Sequence, residues 1–349
     1  MTLISYQLKQ LQHYYGDKKV LDIHELKIQK GSITGLTGPN GSGKGTLLKI
    51  MAFALKPTAG EVWFNGRQEL PLSPRVRSRV TLLTQKPYLL KRSVFDNIAY
   101  GLKIRRDQDN IKNRISKALE SVGLSYTEFA HRQWHELSGG EAQRVAMAAR
   151  LILKPEVLLL DEPVASVDTK SAGQIRRASL AARENWGCTL VIASHDLPWL
   201  YECSDTQISI ANGRLFSTGR ENIIPPPYDL SQKNGPVKWL GSKSPGTDRK
   251  GEYIRLPLGK ENDGFAVIQQ QKIQVCLEKE EKEEGWDNQI TGEITAMLME
   301  KSTHHIMATL QVRDFSLNLS FSPDRAAALN LLPGKRLVLR FHSRDIEWR

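Results

Sequence analysis

Nothing in this chain approaches the roughly 20 uninterrupted apolar residues that a membrane-spanning helix needs. Its longest apolar runs, such as Val157-Leu158-Leu159-Leu160, have the length of buried strands. The amino-terminal stretch MTLISYQLKQLQHYYGDKK lacks the charged-then-apolar build of a secretion signal, so a cytoplasmic protein is expected. Cysteine is scarce. Cys188, Cys203 and Cys276 are scattered and odd in number, which points to a reducing compartment and supplies neither a disulfide framework nor a metal site. Acidic residues are outnumbered, 38 Asp and Glu against 49 Lys and Arg, leaving a formal charge of +11. That excess suits a phosphate-bearing partner, whether nucleotide, nucleic acid or an anionic membrane surface. A solvated basic surface accounts for it equally well, so charge alone decides nothing.

A length of 349 residues with 40% hydrophobic content allows two globular domains. Up to about residue 222 strand-like and helix-like segments alternate, which is α/β architecture. Ser32-Ile33-Thr34-Gly35-Leu36-Thr37, Val157 to Leu160 and Thr189 to Ala193 read as central strands of a covered parallel sheet. Pro225-Pro226-Pro227 breaks the pattern, because three prolines neither continue a helix nor pair in a central strand. Two domains are therefore expected, 1–225 and 226–349. Ser231 to Gly251, rich in Gly, Ser, Lys and Pro, reads as linker or loops. Beyond it Ala266-Val267-Ile268, Ile273-Gln274-Val275, Ile306 to Val312, Phe315 to Phe321 and Arg336 to Phe341 read as short strands. The charged run Glu278 to Glu284 marks a solvated connection. FAVIQQQKIQV (Phe265 to Val275) and LVLRFHSRDIEW (Leu337 to Trp348) each run strand, polar interruption, strand, a weak repeat that suggests two small barrels, at about 230–280 and 288–349.

Chemistry is concentrated in a few local motifs. GPNGSGKGT comprises Gly38, Pro39, Asn40, Gly41, Ser42, Gly43, Lys44, Gly45 and Thr46; it follows a predicted strand and opens a helix. Its glycines permit a tight backbone that turns several N–H groups to one point, the helix start favours an anion, and Lys44 adds a mobile positive charge. That is a phosphate cradle, expected to take ATP with Mg²⁺. One residue departs from the pattern: the position after the lysine, where a Ser or Thr hydroxyl ligates Mg²⁺, is Gly45. Thr46 comes one residue later, and a helix turns about 100° per residue, so its hydroxyl does not simply take over. VLLLDEP places Asp161 and Glu162 at the polar end of an apolar strand, with Asp161 suited to a Mg²⁺-associated role and Glu162 to polarising a water. LSGGEAQRVAMAARL carries Ser138, Gly139 and Gly140 into a second helix start able to hold phosphate.

Two phosphate-binding helix starts are difficult to use on one nucleotide. Their combination resembles the ABC ATPase family, over roughly Leu3 to Asn222. The resemblance implies a P-loop ATPase domain with a helical signature subdomain, in which Ser138–Gly140 act across a homodimer on the partner's ATP. It further implies roles for Gln85 in sensing Mg²⁺ and the attacking water beside the membrane subunit, for Asp168 in the loop crossing the dimer interface, and for His195 as the switch histidine at the γ-phosphate. Tyr15 fits the aromatic that stacks on adenine, with Tyr14 its competitor. Hydrolysis would rest on Glu162 and His195, with Gln85 and Asp161 at the metal.

The tail resembles the tandem oligonucleotide-binding-like (OB-like) barrels of bacterial ABC importers, on Asn288-Gln289-Ile290-Thr291-Gly292-Glu293-Ile294 and Leu331-Leu332-Pro333-Gly334-Lys335. Together with Gln85 to Arg105 it is most similar to tungstate and molybdate importers, with tungstate ahead; sulfate, sugars, polyamines and iron are the other solutes of that group. His342-Ser343-Arg344 stands where an oxyanion-binding barrel would offer small hydroxyls and Lys. The resemblance implies separate transmembrane permease subunits, an extracytoplasmic solute-binding protein and a place on the cytoplasmic face of the membrane. No nucleic acid partner is expected, since the chain has neither the second ATPase domain of translation-type relatives nor the coiled coil of repair-type ones. A nucleotide-gated sensor with little turnover is a third reading, to which Gly45 adds some weight.

Overall fold

The computed structural model describes residues 3–107, 109–165, 167–217, 221–232, 235–241, 252–258, 266–277, 285–300 and 303–348. The charged run 278–284, most of the 231–251 segment and Ser166 lie outside the described residues. The chain divides into two compact units, Met1–Phe216 and Ser217–Arg349. This break precedes the Pro225–Pro227 run because the strand Glu221–Ile224 pairs with Ala266–Gln269 inside the second unit.

The first unit is α/β. A long hairpin of β1 (Ile4–Tyr15) and β2 (Lys18–Gln29) leads into β3 (Ile33–Thr37), α1 (Lys44–Met51), β4 (Ala59–Phe64), β5 (Arg67–Gln68), α2 (Pro74–Arg77) and β6 (Val80–Leu83). Four helices follow, α3 (Val94–Ile104), α4 (Ile111–Ser121), α5 (Tyr126–Phe129) and α6 (Gly139–Leu151). The chain then returns through β7 (Val157–Asp161), α7 (Thr169–Trp186), β8 (Thr189–Ala193), α8 (Leu197–Cys203), β9 (Thr206–Ala211) and β10 (Arg214–Ser217). One sheet has the order β2-β1-β4-β5 and is antiparallel; the other has the order β10-β9-β3-β8-β7-β6, with parallel pairing from β9 across to β6. Strands covered on both faces need apolar side chains on both faces. Every residue of β3 and β8 is buried, and Val157 to Leu160 are wholly enclosed. The helices α3, α4 and α6 close over one face through Ile98, Leu102, Ile115, Leu119 and Val145.

The second unit is built from strands: β11 (Glu221–Ile224), β12 (Val237–Trp239), β13 (Tyr253–Arg255), β14 (Ala266–Gln269), β15 (Gln274–Leu277), β16 (Asn288–Met299), β17 (Ile306–Val312), β18 (Phe315–Phe321), β19 (Arg336–Phe341) and β20 (Ile346–Trp348), with one short helix, α9 (Pro323–Ala328). The two copies of the repeat do form strand, 3₁₀ turn, strand, but they pair with each other. Ala266–Ile268 run antiparallel to Trp348–Ile346, and Gln274–Leu277 to Arg340–Leu337. The stretches 230–280 and 288–349 thus share sheets and a single apolar cluster, where the sequence suggests two successive barrels.

Candidate functional site

Ligands of open parallel sheets sit beyond the carboxyl ends of the strands. Here β3, β8, β7 and β6 are neighbours, and each delivers one motif at that end: Gly38–Thr46, Ser194–Asp196, Asp161–Glu162 and Gln85. These loops line a cleft of about 650 Å³, together with Val20, Lys49, Val164 and Ala165.

Two glycines of the cradle, Gly38 and Gly43, are required by packing. A Cβ on Gly38 would lie 2.1 Å from the Ile210 carbonyl oxygen, and one on Gly43 2.8 Å from both the Val20 carbonyl oxygen and Leu21. Gly43 also holds φ at 110° as the N-cap of α1, a region costly to residues with a side chain. Lys44 folds back into its own loop, donating to the Gly38 and Pro39 carbonyls at 2.6 and 3.1 Å. Burial lowers its pKa, against the opposing pull of Glu162 and Asp161. Within the same loop, the Ser42 hydroxyl is buried without a hydrogen-bond partner. An ammonium resting on carbonyls and an unpaired hydroxyl are both suited to phosphate oxygens.

Opposite the cradle, burial raises the pKa of Asp161, with Lys44 and Lys49 pulling it down. A Cβ added to Gly45 would stand 3.0 Å from Asp161 Oδ2. The absent hydroxyl would therefore have projected beside this carboxylate, while Thr46 occupies a different bearing on the helix. Among the described residues no group of three or more His, Cys, Asp or Glu is placed to hold a metal ion. A divalent cation here would depend on Asp161 plus the oxygens of a nucleotide, the usual arrangement for Mg²⁺. The donor set fits that ion with one protein ligand fewer than the phosphate-loop pattern provides.

Glu162 stands in the left-handed region, with φ of 46°. Such a conformation costs a non-glycine residue about 1–3 kcal/mol and persists where the surroundings impose it. Its Oε2 accepts from the His195 N–H at 3.3 Å, and Oε1 lies 3.4 Å from His195 Nε2 but makes no hydrogen bond. The half-exposed imidazole also meets Asn40 Oδ1 at 3.1 Å. Glu162, His195 and the cradle residue Asn40 thus form a chain of contacts. Gln85 lies at the edge of the cleft. The segment after it is pinned by buried Asn97, whose amide accepts from the Leu90 N–H and donates to the Leu90, Arg92 and Ser93 carbonyls.

Five of the residues singled out from sequence lie elsewhere. Ser138 caps α6 in a reciprocal box with Glu141, and Asp168 caps α7 by accepting from the Ser171 N–H and hydroxyl at 2.9 and 2.7 Å. Gly140 packs on that cap, where a Cβ would come within 2.8 Å of Asp168 Oδ2. Ser138, Gly139, Gly140 and Asp168 line no part of the cleft, and neither does Tyr15, which is half-exposed with its ring edge-on to His13 at 4.8 Å. Tyr14 stands under the Lys19 ammonium instead. Sequence reasoning missed Val20, Lys49 and Asp196. Lys49 carried a legible signal, since it falls four residues after Gly45 on the same helical face; Asp196 reads locally only as a helix cap before Pro198. In the second unit, the Ser343 N–H and hydroxyl both donate to Asp287 Oδ2 at 2.9 Å, and His342 stacks on Trp286. The two Ser343 donors at this place are thus held by the chain's own carboxylate.

Comparison with known proteins agrees with this geometry. The family model described as "ABC transporter" matches residues 21–165, a span holding the cradle, Gln85, Ser138–Gly140 and Glu162. The tungstate uptake system ATP-binding protein TupC of Peptoclostridium acidaminophilum is 37% identical over 206 residues, covering 59% of this chain and 94% of that protein. The spermidine/putrescine import ATP-binding protein PotA of Borreliella afzelii is 30% identical over 310 residues, covering 87% of this chain and 84% of that one. A dimeric ATP-binding cassette in a post-hydrolysis state, bound to ADP and Pi, superposes with a TM-score of 0.56 at 25% identity, over 61% of this chain and 98% of the other. A glycine-rich cradle facing an acid–histidine pair, in a chain matched over 87% of its length at 30% identity by an import ATPase, makes this protein a member of the ABC transporter family, the ATP-binding and ATP-hydrolysing subunit of an importer.

Proposed function

We propose that the chain powers import of an oxyanion, tungstate ahead of molybdate, as a homodimer on the cytoplasmic face of the membrane beneath separate permease subunits. The observation that carries the solute is the 37% identity to a tungstate uptake ATPase. A second reading, polyamine import, draws on PotA, whose aligned length exceeds that of the first unit while the TupC alignment does not. No helix among the described residues is long and apolar enough to cross a membrane, in keeping with permeases on other chains.

In this reading Lys44 exchanges the Gly38 and Pro39 carbonyls for β- and γ-phosphate oxygens, and the Ser42 hydroxyl gains its missing partner. Asp161 and Gln85 would hold Mg²⁺, which would supply charge neutralisation at the phosphates. Glu162 orients and polarises the attacking water, and His195 steadies the γ-phosphate from the side of Asn40. Ser138–Gly140 and Asp168, which line no part of the cleft in their own chain, meet the nucleotide of the partner copy, while Tyr15 supports adenine. Closure of the pair on ATP and reopening after hydrolysis drives the permease. The second unit is a regulatory domain of OB-like kind whose two stretches share sheets.

The test of the solute is ATPase stimulation of the assembled transporter, with its solute-binding protein, by tungstate, molybdate, sulfate and spermidine. Stimulation by tungstate at the lowest concentration is expected. A response to spermidine alone would replace the oxyanion with a polyamine.

A further inference from the structure

His195 hangs on a short loop between β8 and α8, and the residues on either side of it are held unequally. Ser194 is buried at the end of the sheet, where its hydroxyl accepts the Asp196 N–H at 3.1 Å. Asp196 is secured from outside the loop. Its Oδ1 accepts the Trp199 N–H at 3.2 Å, capping α8, and its Oδ2 accepts from the Arg176 guanidinium. Arg176 lies two turns into α7, with its guanidinium 5.3 Å over the indole of Trp199. One side chain therefore grips both the residue after His195 and the first turn of α8.

We propose that Arg176 is a positioning residue for hydrolysis, fixing the His195 loop to α7. The inference rests on the reading that Glu162 and His195 carry hydrolysis. The His195 N–H donates to Glu162, so a shift of the 194–196 backbone displaces the histidine from both Glu162 and Asn40. A planar guanidinium suits this post, since it can bind a carboxylate and stack on an indole together, which an ammonium does less well. The other end of α7 adds a consequence. Its cap is Asp168, packed against Gly140, and eight residues of helix span only about 12 Å. Whatever settles against Asp168 and Gly140 is thus joined by one rigid helix and one ion pair to the histidine of the same chain.

The experiment measures steady-state ATPase, affinity for trinitrophenyl-ATP and thermal midpoint on the full-length subunit carrying Arg176→Gln, Arg176→Lys, Asp196→Asn and the Arg176→Gln/Asp196→Asn pair. Glu162→Gln and His195→Ala serve as references. Arg176→Gln is expected to lower kcat ten- to a hundredfold while nucleotide affinity stays within twofold; Arg176→Lys recovers part of the loss, and the double variant is no slower than the worse single one. Unchanged kcat for Arg176→Gln, or losses that multiply in the double variant, overturns the proposal. So does a parallel fall of kcat, affinity and thermal midpoint, which would make Arg176 a structural residue alone. Should Arg176→Gln not fold, Arg176→Lys carries the test by the same split between kcat and affinity. If Glu162→Gln and His195→Ala both retain full activity, the underlying reading of the site has failed instead.

Discussion

The two units of this protein use their polar residues differently. Up to Phe216 there are 30 Lys and Arg against 20 Asp and Glu; beyond it, 19 against 18. In the cleft of the first unit an ammonium sits on carbonyls, a hydroxyl has no partner and a carboxylate is held at positive φ. Those are groups left unfinished for a ligand to complete. In the second unit, several side-chain amides complete the fold. The amide of Asn222 accepts from the Asn318 N–H and donates to the Asn318 carbonyl. Gln270 does the same for Ser320, and Asn288 for Arg255. Asn318 and Ser320 lie on β18, the edge of the five-stranded sheet, so two side-chain amides finish a ladder that would otherwise present bare backbone.

The sharpest way to break this contrast is to remove one group from each unit and ask what is lost. Glu162→Gln is expected to cut kcat by about 100- to 10,000-fold, the contribution of a positioned general base, while ATP binding and the unfolding of either unit hardly change. Asn288→Ala should do the reverse. Asn288 is 1% exposed, and its loss strands the N–H and carbonyl of Arg255, a cost of about 1–3 kcal/mol. Calorimetry should show the transition of the second unit moved down with ATPase activity intact. Loss of activity on Asn288→Ala, or of stability on Glu162→Gln, would erase the distinction.

That contrast also explains what could be read before any fold was known. The cradle, the Asp161-Glu162 pair, the Ser138 helix start and His195 are each encoded within a few consecutive residues, because a phosphate loop or a strand end is a local object. The β-rich character of the tail was legible for the same reason, as alternating apolar positions at Ile306 to Val312 and Phe315 to Phe321. What escaped the sequence is long-range. Asn222 meets a residue 96 positions away and Gln270 one 50 away, and no local pattern announces either. The repeat was visible, yet its copies pair with each other, which spacing alone cannot distinguish from two separate barrels. In the first unit the same limit hid Asp196, whose bond to Arg176 crosses from one helix to the start of another.

Gly45 is where the first unit itself departs from completeness. Gly45→Ser would add a hydroxyl beside Asp161, whose Oδ2 lies 3.0 Å from the new Cβ and must yield by a few tenths of an ångström. A ligand gained at about 1 kcal/mol lowers the Mg²⁺ concentration for half-maximal turnover about fivefold. A magnesium titration reads this directly. An unchanged midpoint would mean that the carboxylate cannot give way, or that Asp161 does not face the ion.

The smallest expected effects on stability have opposite signs in the two units. Asp229 is partly buried and accepts from the Ser231 hydroxyl, the Gln232 amide, the Trp239 indole and the Ser231 N–H, which together hold its pKa far below the ordinary carboxylate value. A depressed folded-state pKa contributes stability above the unfolded value of roughly 3.9 and loses it as pH falls further. Asp229→Asn should therefore lower the thermal midpoint of the second unit by a constant few degrees from pH 8 to 5, with the difference shrinking below about pH 4. Asp161 runs the other way. Burial raises its pKa, so its contribution is favourable when protonated and is lost as pH rises through the folded value. At pH 7 without nucleotide Asp161→Asn should raise the midpoint of the first unit while abolishing Mg²⁺-dependent turnover, and the gain should fade on acidification. Calorimetry of both variants from pH 8 to 3.5 compares the signs. Two shifts of the same sign would mean that the carboxylate of the cleft is already satisfied by Lys44 and Lys49, and that it is not waiting for an ion.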